Sequence, residues 1–552
     1  VRSARFELLS DGGPAEALSA AAALARFDRV LERLVPRRRA DPGDPIVVLA
    51  FADEGDFSRY APRQGGEPRA VDGFFQGGTA RCYIAFNLRG ERADPYDALY
   101  HEYAHLALNR FLPAQPAWVA EGLAELYAAW QPAGSQARVG LARPEHLHRL
   151  RARGFLSLGD VVRAAYTSPL YVREGLSERF YAQSWLLAHY LVLGRPRGHE
   201  QLQHYLESIT QGVDGTAAFR TAFGEDPDSL APRLKAYLEQ AALPAAYVTV
   251  GADELADAPR AEATPVATAE LESLLGDMLL HQDRPRDARR NLERAVAADP
   301  GYVPAREGLA QVALGQARWD EARAQLKAAL DREPESPIAL HRYADVLVKE
   351  ASRRGEVLSD AETDAAVSAL EKAVGQAPHF ADAAELLARL RPQPARRRIA
   401  LLEPAFTREP QRTDIGITLA GLYVRVNELG RATAVLSRAQ AAARDDSMRF
   451  LAGHLRGRIG FASSLTREVT GMLVKLECRA EGALDFVIEV GDRLLVLRAP
   501  AARSVLLYGP DGDSFERELV CGPQRAPVSA SYRHEAAREG LEGTLLSMTW
   551  NE

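Results

Sequence analysis

The 552-residue sequence predicts a chain in three parts: an α+β region, an α-solenoid and a small antiparallel β-domain. Three observations carry this. Strand-like runs precede helix-like ones over residues 1–242, the order of an α+β domain. A 34-residue period runs through residues 267–445, the mark of stacked units. Alternating apolar runs separated by turn pairs occupy residues 460–552, as in a meander of short strands. A chain of this length exceeds what one hydrophobic core supports.

Within the first part, residues 5–9, 45–51 and 81–87 read as strands, and a Gly-rich stretch runs from Gly73 to Gly78. Between the first two strands, Leu18, Ala22, Leu24, Phe27, Val30, Leu31 and Leu34 recur at helical spacing along one side. Helices follow at about 95–112, 116–130, 180–193, 198–210 and 228–241. Residues 243–266 lose periodicity and gain Pro259 and Pro265, which reads as a linker.

The repeats are specific. Asp299-Pro300 recurs as Glu333-Pro334, 34 residues on, and the same shift links Ala288 to Ala322, Leu292 to Leu326 and Ala295 to Ala329. A third copy, with Leu370, Ala373 and Pro378, is displaced by 44, which places a ten-residue insertion around 352–363. A weaker fourth copy ends near Pro410. Small residues at helix crossings and Pro after the second helix resemble the tetratricopeptide repeat. Such units stack because one helix pair cannot bury its own apolar face. The resemblance implies a protein partner in the concave groove.

In the last part, residues 472–478 and 486–490 are strand-like, and Gly491-Asp492 and Asp511-Gly512 suit tight hairpin turns. Cys478 and Cys521 share this region and are either a disulfide or two buried thiols; Cys82 lies in a strand near the motif described next.

Candidate chemistry concentrates in one place. Residues 101–105 read His-Glu-Tyr-Ala-His. Four residues apart on a helix, His101 and His105 share a face and can reach one tetrahedral zinc. Glu102 is turned to sit beside a metal-bound water without ligating it. Catalytic zinc takes three protein ligands and a water, and Glu121 follows His105 after 16 residues, room to end one helix near Pro113–Pro116 and start another that packs back. Gly122 permits close approach of a neighbouring helix. Glu125, one turn beyond Glu121, is placed to accept a hydrogen bond from a ligand imidazole. The alternative for these carboxylates, an exposed acidic face, is at odds with Trp118, Leu123 and Leu126 on the same helix.

These residues, His-Glu-x-x-His and then Trp-x-x-Glu-Gly-x-Ala-Glu from Trp118 to Glu125, resemble the gluzincin metallopeptidases, above all the bacterial peptidase-MA-like domains related to the aminopeptidase N group. The resemblance covers about residues 1–240. It implies a zincin-like fold, zinc held by His101, His105 and Glu121, Glu102 as base, a protein or peptide substrate, and residence in the cell envelope. It also implies a catalytic tyrosine opening a later helix, and Tyr181, 60 residues after Glu121, fits; the Lys-Gly pair common in that helix is Gln183-Ser184 here, and a capping core tyrosine is the competing reading. The acidic exopeptidase motif is replaced by Gly73-Phe74-Phe75-Gln76-Gly77-Gly78, so aminopeptidase specificity is not implied. The strand at 81–87 is expected to run along the cleft and pair with an extended substrate.

Other residues read as structural. His189 lies on an apolar helix and is expected to be a satisfied core histidine; His146 and His148 are expected at the surface. A structural zinc site needs a fourth protein ligand, and none is close by in the sequence. A net charge of −7, with Arg37-Arg38-Arg39 the one early basic cluster, argues against a nucleic-acid partner. No run of about 18 apolar residues occurs, so no transmembrane segment is expected. The start at Val1 fits removal of an export leader. Two functions remain: a zinc endopeptidase whose repeats recruit protein, favoured by the intact Glu102, or a non-catalytic scaffold on a peptidase fold.

Overall fold

The computed structural model describes residues 1–3, 5–35, 46–69, 71–78, 81–90, 94–111, 115–166, 168–173, 175–210, 213–256, 262–390, 393–426, 428–443, 446–464, 467–500, 505–509, 519–538 and 541–551. Arg37–Arg39, Pro113, Pro259 and the Asp511-Gly512 pair lie outside the described residues. The chain forms two compact units, Val1–Pro334 and Glu335–Glu552.

The first unit opens with strand β1 (Phe6–Ser10), helix α1 (Pro14–Leu34), β2 (Ile46–Phe51), α2 (Glu54–Tyr60), a small hairpin β3 (Arg63–Gln64) and β4 (Glu67–Pro68), β5 (Gly73–Gly77) and β6 (Cys82–Asn87). The four longer strands make one sheet in the order β1-β2-β6-β5; the first three are parallel and β5 runs antiparallel on the edge. Every residue of β2 and β6 is buried, which is why both read as continuous apolar runs: both faces of the sheet are covered. The side chains alternate between two cores. Ile46, Val48, Ile84 and Phe86 pack with Leu24, Phe27 and Val30 of α1 and with Tyr100 and Tyr103 of α3 (Asp97–Phe111).

The opposite face is covered from beyond residue 242. Val47, Leu49, Phe51, Tyr83 and Ala85 pack against Leu274, Leu275, Met278 and Leu279, far along the chain in the first repeat. Polar ties reinforce this cover. The Tyr83 hydroxyl donates to Asp277 Oδ2 at 2.6 Å, Gln282 Nε2 to Tyr60 O at 3.0 Å, and Asn291 Nδ2 to Tyr60 Oη at 3.1 Å.

After α3 come α4 (Ala117–Ala128), β7 (Trp130–Ala133), β8 (Gln136–Val139), α5 (Pro144–Arg153), α6 (Leu158–Arg163), the short α7 (Pro169–Val172) and α8 (Ser177–His189), which runs on into one π-helical turn, Tyr190–Gly194. Then follow α9 (Gly198–Thr210), α10 (Gly215–Phe223), a 3₁₀ turn Pro227–Leu230, α11 (Ala231–Leu238), β9 (Ala246–Thr249) and α12 (Ala252–Ala256). Trp118, Phe180, Trp185, Tyr205 and Phe219 fill a second core among these helices. The linker reading of 243–266 is corrected in part: β9 pairs antiparallel with β8, Val248 opposite Ala137, and completes a three-stranded sheet. Its alternating burial is partial, so it lacked the apolar signal of a buried strand.

The repeats begin with α13 (Thr268–His281), α14 (Pro285–Ala298), α15 (Val303–Gly315) and α16 (Trp319–Arg332), all in the first unit. Ala288, Ala295, Ala322 and Ala329, the residues that defined the period, are fully buried at the crossings. A Cβ at Gly276 or Gly308 would lie 2.7 Å from Leu292 side-chain atoms, so either would force that leucine to shift where α13 and α15 meet α14.

The second unit continues with α17 (Pro337–Arg354), α18 (Asp360–Gln376), α19 (Ala381–Leu390), α20 (Ala395–Arg408), α21 (Thr413–Arg425) and α22 (Leu429–Ala442). The insertion lengthens α17 and the loop to Ser359, whose hydroxyl and Glu362 close a capping box on α18. The solenoid also outruns its expected end at 445: α23 (Asp446–Ser464) packs on α22, and strands begin only at Arg467.

Those strands are β10 (Arg467–Cys478), β11 (Leu484–Val490), β12 (Arg493–Ala499), β13 (Leu506–Tyr508), β14 (Gly522–Arg538) and β15 (Leu541–Trp550). Their order is β12-β11-β10-β14-β15-β13, and β12 also pairs with β15, closing a barrel around Phe486, Ile488, Leu497, Val528 and Met548. Neighbours are antiparallel except where β12 and β13 meet β15. Gly491-Asp492 forms the expected two-residue turn, with Gly491 at φ +59°. Cys478 and Cys521 are disulfide-bonded, with Cα atoms 5.8 Å apart, and Cys82 is a buried free thiol.

Candidate metal centre

Helix α3 turns Tyr100, Tyr103 and Ala104 into the sheet core. That orientation leaves His101 and His105, one turn apart, on a different side, with side chains 12 and 15 % exposed. Helix α4 brings the third group. It is almost entirely buried because α8 lies against it; a Cβ at Gly122 would sit 2.4 Å from the Ser184 carbonyl oxygen and 2.8 Å from Ala188 Cβ. The close approach expected of Gly122 is thus made with the segment that departs from the Lys-Gly pattern.

His101, His105 and Glu121 converge. The two Nε2 atoms are 3.0 Å apart, and Glu121 Oε2 lies 3.2 Å from His105 Nε2 and 3.5 Å from His101 Nε2. A tetrahedral zinc with bonds of about 2.0–2.2 Å separates its ligand atoms by about 3.3–3.6 Å, and the trio comes within about 0.3 Å of that spacing. Three atoms that can each offer a lone pair also face one another, an arrangement that calls for a proton or a metal. In the metal-free chain burial disfavours charge on both partners, yet each holds the other ionised: Glu121 draws His105 up to about 9, and the imidazoles draw Glu121 down to about 2. Glu102, half-buried on α3, lies near enough for its charge to act on His105 and Tyr181.

Behind the trio is a buried charge chain. Glu125 Oε1 lies 3.4 Å from His101 Nδ1. Its Oε2 meets Arg143 Nε at 2.7 Å, and Arg143 Nη1 donates to Asp97 Oδ2 at 2.9 Å. Burial alone would raise the Glu125 carboxyl; Arg143, His146 and His101 hold it well below the ordinary carboxylate range. His146 corrects the surface expectation: it is buried, its Nε2 3.4 Å from Glu125 Oε2 and its ring 5.6 Å from that of Trp185. The polar composition of α5 hid this, since its one inward face is narrow. Arg143 went unnoticed for a similar reason; an arginine ahead of Pro144 looks like a solvated helix start.

Tyr181 lies beside Tyr171, in range of the Glu121 charge. Its ring lies 5.7 Å from that of Tyr171, and burial, then the Glu121 charge, push its phenol upward. Sequence reasoning missed Tyr171, whose hydroxyl donates to Glu121 Oε1 at 2.8 Å. The only available signal was an aromatic residue 50 positions past Glu121, in a helix of a single turn. His189 is the satisfied core histidine expected, with Nδ1 2.8 Å from Tyr237 Oη and Nε2 3.0 Å from Gly140 O, and His148 is exposed. The strand at 81–87 does not line a cleft. As β6 it is internal, bonded on both sides; the edge is β5, beside α3 where Gly73 meets Ala98.

Comparison with known proteins adds to the repeats. Residues 279–349 match the tetratricopeptide repeat family, so the chain contains a tetratricopeptide repeat region, a module that implies protein partners. Similar solved structures include pilF of Pseudomonas aeruginosa (16 % identical, covering 36 % of this chain and 86 % of that one, TM-score 0.29). Others are a thermophilic TPR protein of Thermus thermophilus (22 %, 36 % and 100 %, 0.27) and PilW, a type IV pilus biogenesis factor (16 %, 36 % and 89 %, 0.28). No curated protein matches the chain. The family match lies outside residues 1–242. No helix among the described residues is long and apolar enough to cross a membrane.

Proposed function

We propose that this chain is a zinc-dependent metallopeptidase of the gluzincin type whose repeats dock protein partners or substrates. The observation that carries the reading is the convergence of His101, His105 and Glu121, whose ligating atoms lie within 4.8 Å of one another. Zinc held there would polarise a scissile carbonyl and acidify a water. The residues do the rest. Glu102 takes the proton of the attacking water and passes it to the leaving amine. Tyr181 donates a hydrogen bond to the carbonyl oxygen as it gains charge. Glu125 accepts from His101 Nδ1–H and so keeps Nε2 free of a proton. The edge strand β5 is the place for an extended peptide to add main-chain hydrogen bonds. The disulfide Cys478–Cys521 supports an oxidising compartment such as the cell envelope.

A second reading has its own support: the family match falls on the repeats alone, which favours a non-catalytic scaffold for protein–protein interaction. The two separate by comparing wild type with Glu102→Gln on a mixed peptide library while zinc content is measured. The enzyme reading expects one zinc in each and cleavage only by wild type. One zinc in each and no cleavage by either assigns the scaffold. No zinc in either removes the metal centre from both readings.

A further inference from the structure

Glu121 has two carboxylate oxygens, and they face different ways. Oε2 looks at the imidazoles, 3.2 Å from His105 and 3.5 Å from His101. Oε1 accepts the Tyr171 hydroxyl at 2.8 Å. The last torsion of a glutamate is broad and two-fold, so an untethered carboxylate rotates and exchanges or shares its oxygens. The tyrosine removes that freedom.

Tyr171 is itself held. Its ring lies 5.1 Å from Tyr166, 5.9 Å from Phe180 and 5.7 Å from Tyr181, an edge-and-tilt cluster of four aromatics. The next residue is tied from elsewhere: Gln64 Nε2, in β3, donates to Val172 O at 3.2 Å. The donor is therefore pre-positioned by packing on one side and by a hairpin on the other, as an orienting group must be. Neither the helix of His101 nor that of Glu121 supplies it; a third segment does.

We propose that Tyr171 is a positioning residue of the metal centre, its hydroxyl fixing Glu121 so that Oε2 alone is presented to the ion. The inference rests on the reading of His101, His105 and Glu121 as metal ligands. It assigns Tyr171 no part in proton transfer and no contact with substrate.

Cobalt(II) in place of zinc tests this in the full chain without any activity assay. Cobalt affinity is measured by chelator competition, and visible absorption reports the ligand arrangement. Wild type is expected to bind one cobalt. Tyr171→Phe, which removes one hydroxyl and keeps the ring, is expected to bind about 10–100-fold more weakly and to show shifted visible bands. Tyr166→Phe, the same change on the neighbouring ring, is expected to match wild type in both. Circular dichroism of all three excludes a folding defect, and Gln64→Ala, which loosens the segment from outside the cluster, is expected to move the same two readouts in the same direction by less. A Tyr171→Phe chain with wild-type affinity and wild-type bands overturns the inference alone. A wild-type chain that takes up no cobalt overturns the metal-site reading and this inference with it.

Discussion

Glu121 in the first unit and Asp485 in the barrel are both buried carboxylates, and they are satisfied in opposite ways. Asp485 is 1 % exposed, with Arg498 Nε 2.7 Å from Oδ1, Arg498 Nη2 2.8 Å from Oδ2 and Arg479 Nε 2.8 Å from Oδ2. Its partners are permanent cations whose forks match a carboxylate. Glu121 instead faces two imidazoles that carry charge only when protonated, plus a neutral phenol. One site is balanced by two arginines of its own chain; the other is balanced by imidazoles whose charge depends on a proton. That difference separates a carboxylate neutralised permanently from one whose balance shifts with protonation, the kind of group that marks candidate functional sites.

The sharpest way to break the comparison is Arg143→Met. Arg143 is bound to Glu125 behind the trio, its side chain 7 % exposed, and its removal leaves Asp97 and Glu125 buried without it. We expect a loss of about 3–5 kcal/mol from the first unit, read as a lowered denaturation midpoint, with weaker zinc retention. Asp485→Asn is expected to cost less, about 1–2 kcal/mol, because Arg479 and Arg498 are themselves 51 and 42 % exposed and solvent screens them; zinc content should not change.

The two carboxylates also differ in pH response. His105, raised from 6.5 to about 9 in the metal-free chain, adds stability that is full below about 6.5 and lost as pH rises through about 9. Glu121, lowered from 4.5 to about 2, adds stability present above about 4.5 and lost as pH falls through about 2. A metal must displace the His105 proton, so apparent zinc affinity is expected to climb up to about tenfold per unit toward about pH 9 and then level. Calorimetry in buffers of different ionisation enthalpy would count the proton released; zero release below about pH 8 contradicts the shared-proton picture. Asp485, held below its ordinary value of 3.8 mainly by Arg498, contributes stability that is lost as pH falls below that value, with or without zinc.

What could be read in the sequence follows the same division. His101, His105, Glu121 and Gly122 were legible because helix periodicity fixes which side chains share a face, and a 16-residue gap fixes a return helix. The repeats were legible because small residues at crossings recur by geometry. Arg143, His146 and Tyr171 were not, since each acts through contacts far along the chain that no local pattern records. Strand order was hidden for the same reason: the apolar run Cys82–Asn87 announces burial, and not whether one edge stays open. The cover of the sheet by α13 was hidden because Leu274, Leu275, Met278 and Leu279 serve the repeat and the sheet together.

That shared cover has a consequence for biosynthesis. The sheet is complete by Asn87, but the α13 residues that share its second core run to Leu279. At about 5–20 residues per second, a ribosome needs roughly ten to forty seconds to deliver them. Throughout that interval the nascent chain carries Val47, Leu49, Phe51 and Tyr83 without their native neighbours. Exposed apolar surface of that kind is prone to aggregation, and a stop codon placed just after residue 242 would leave that interval without an end.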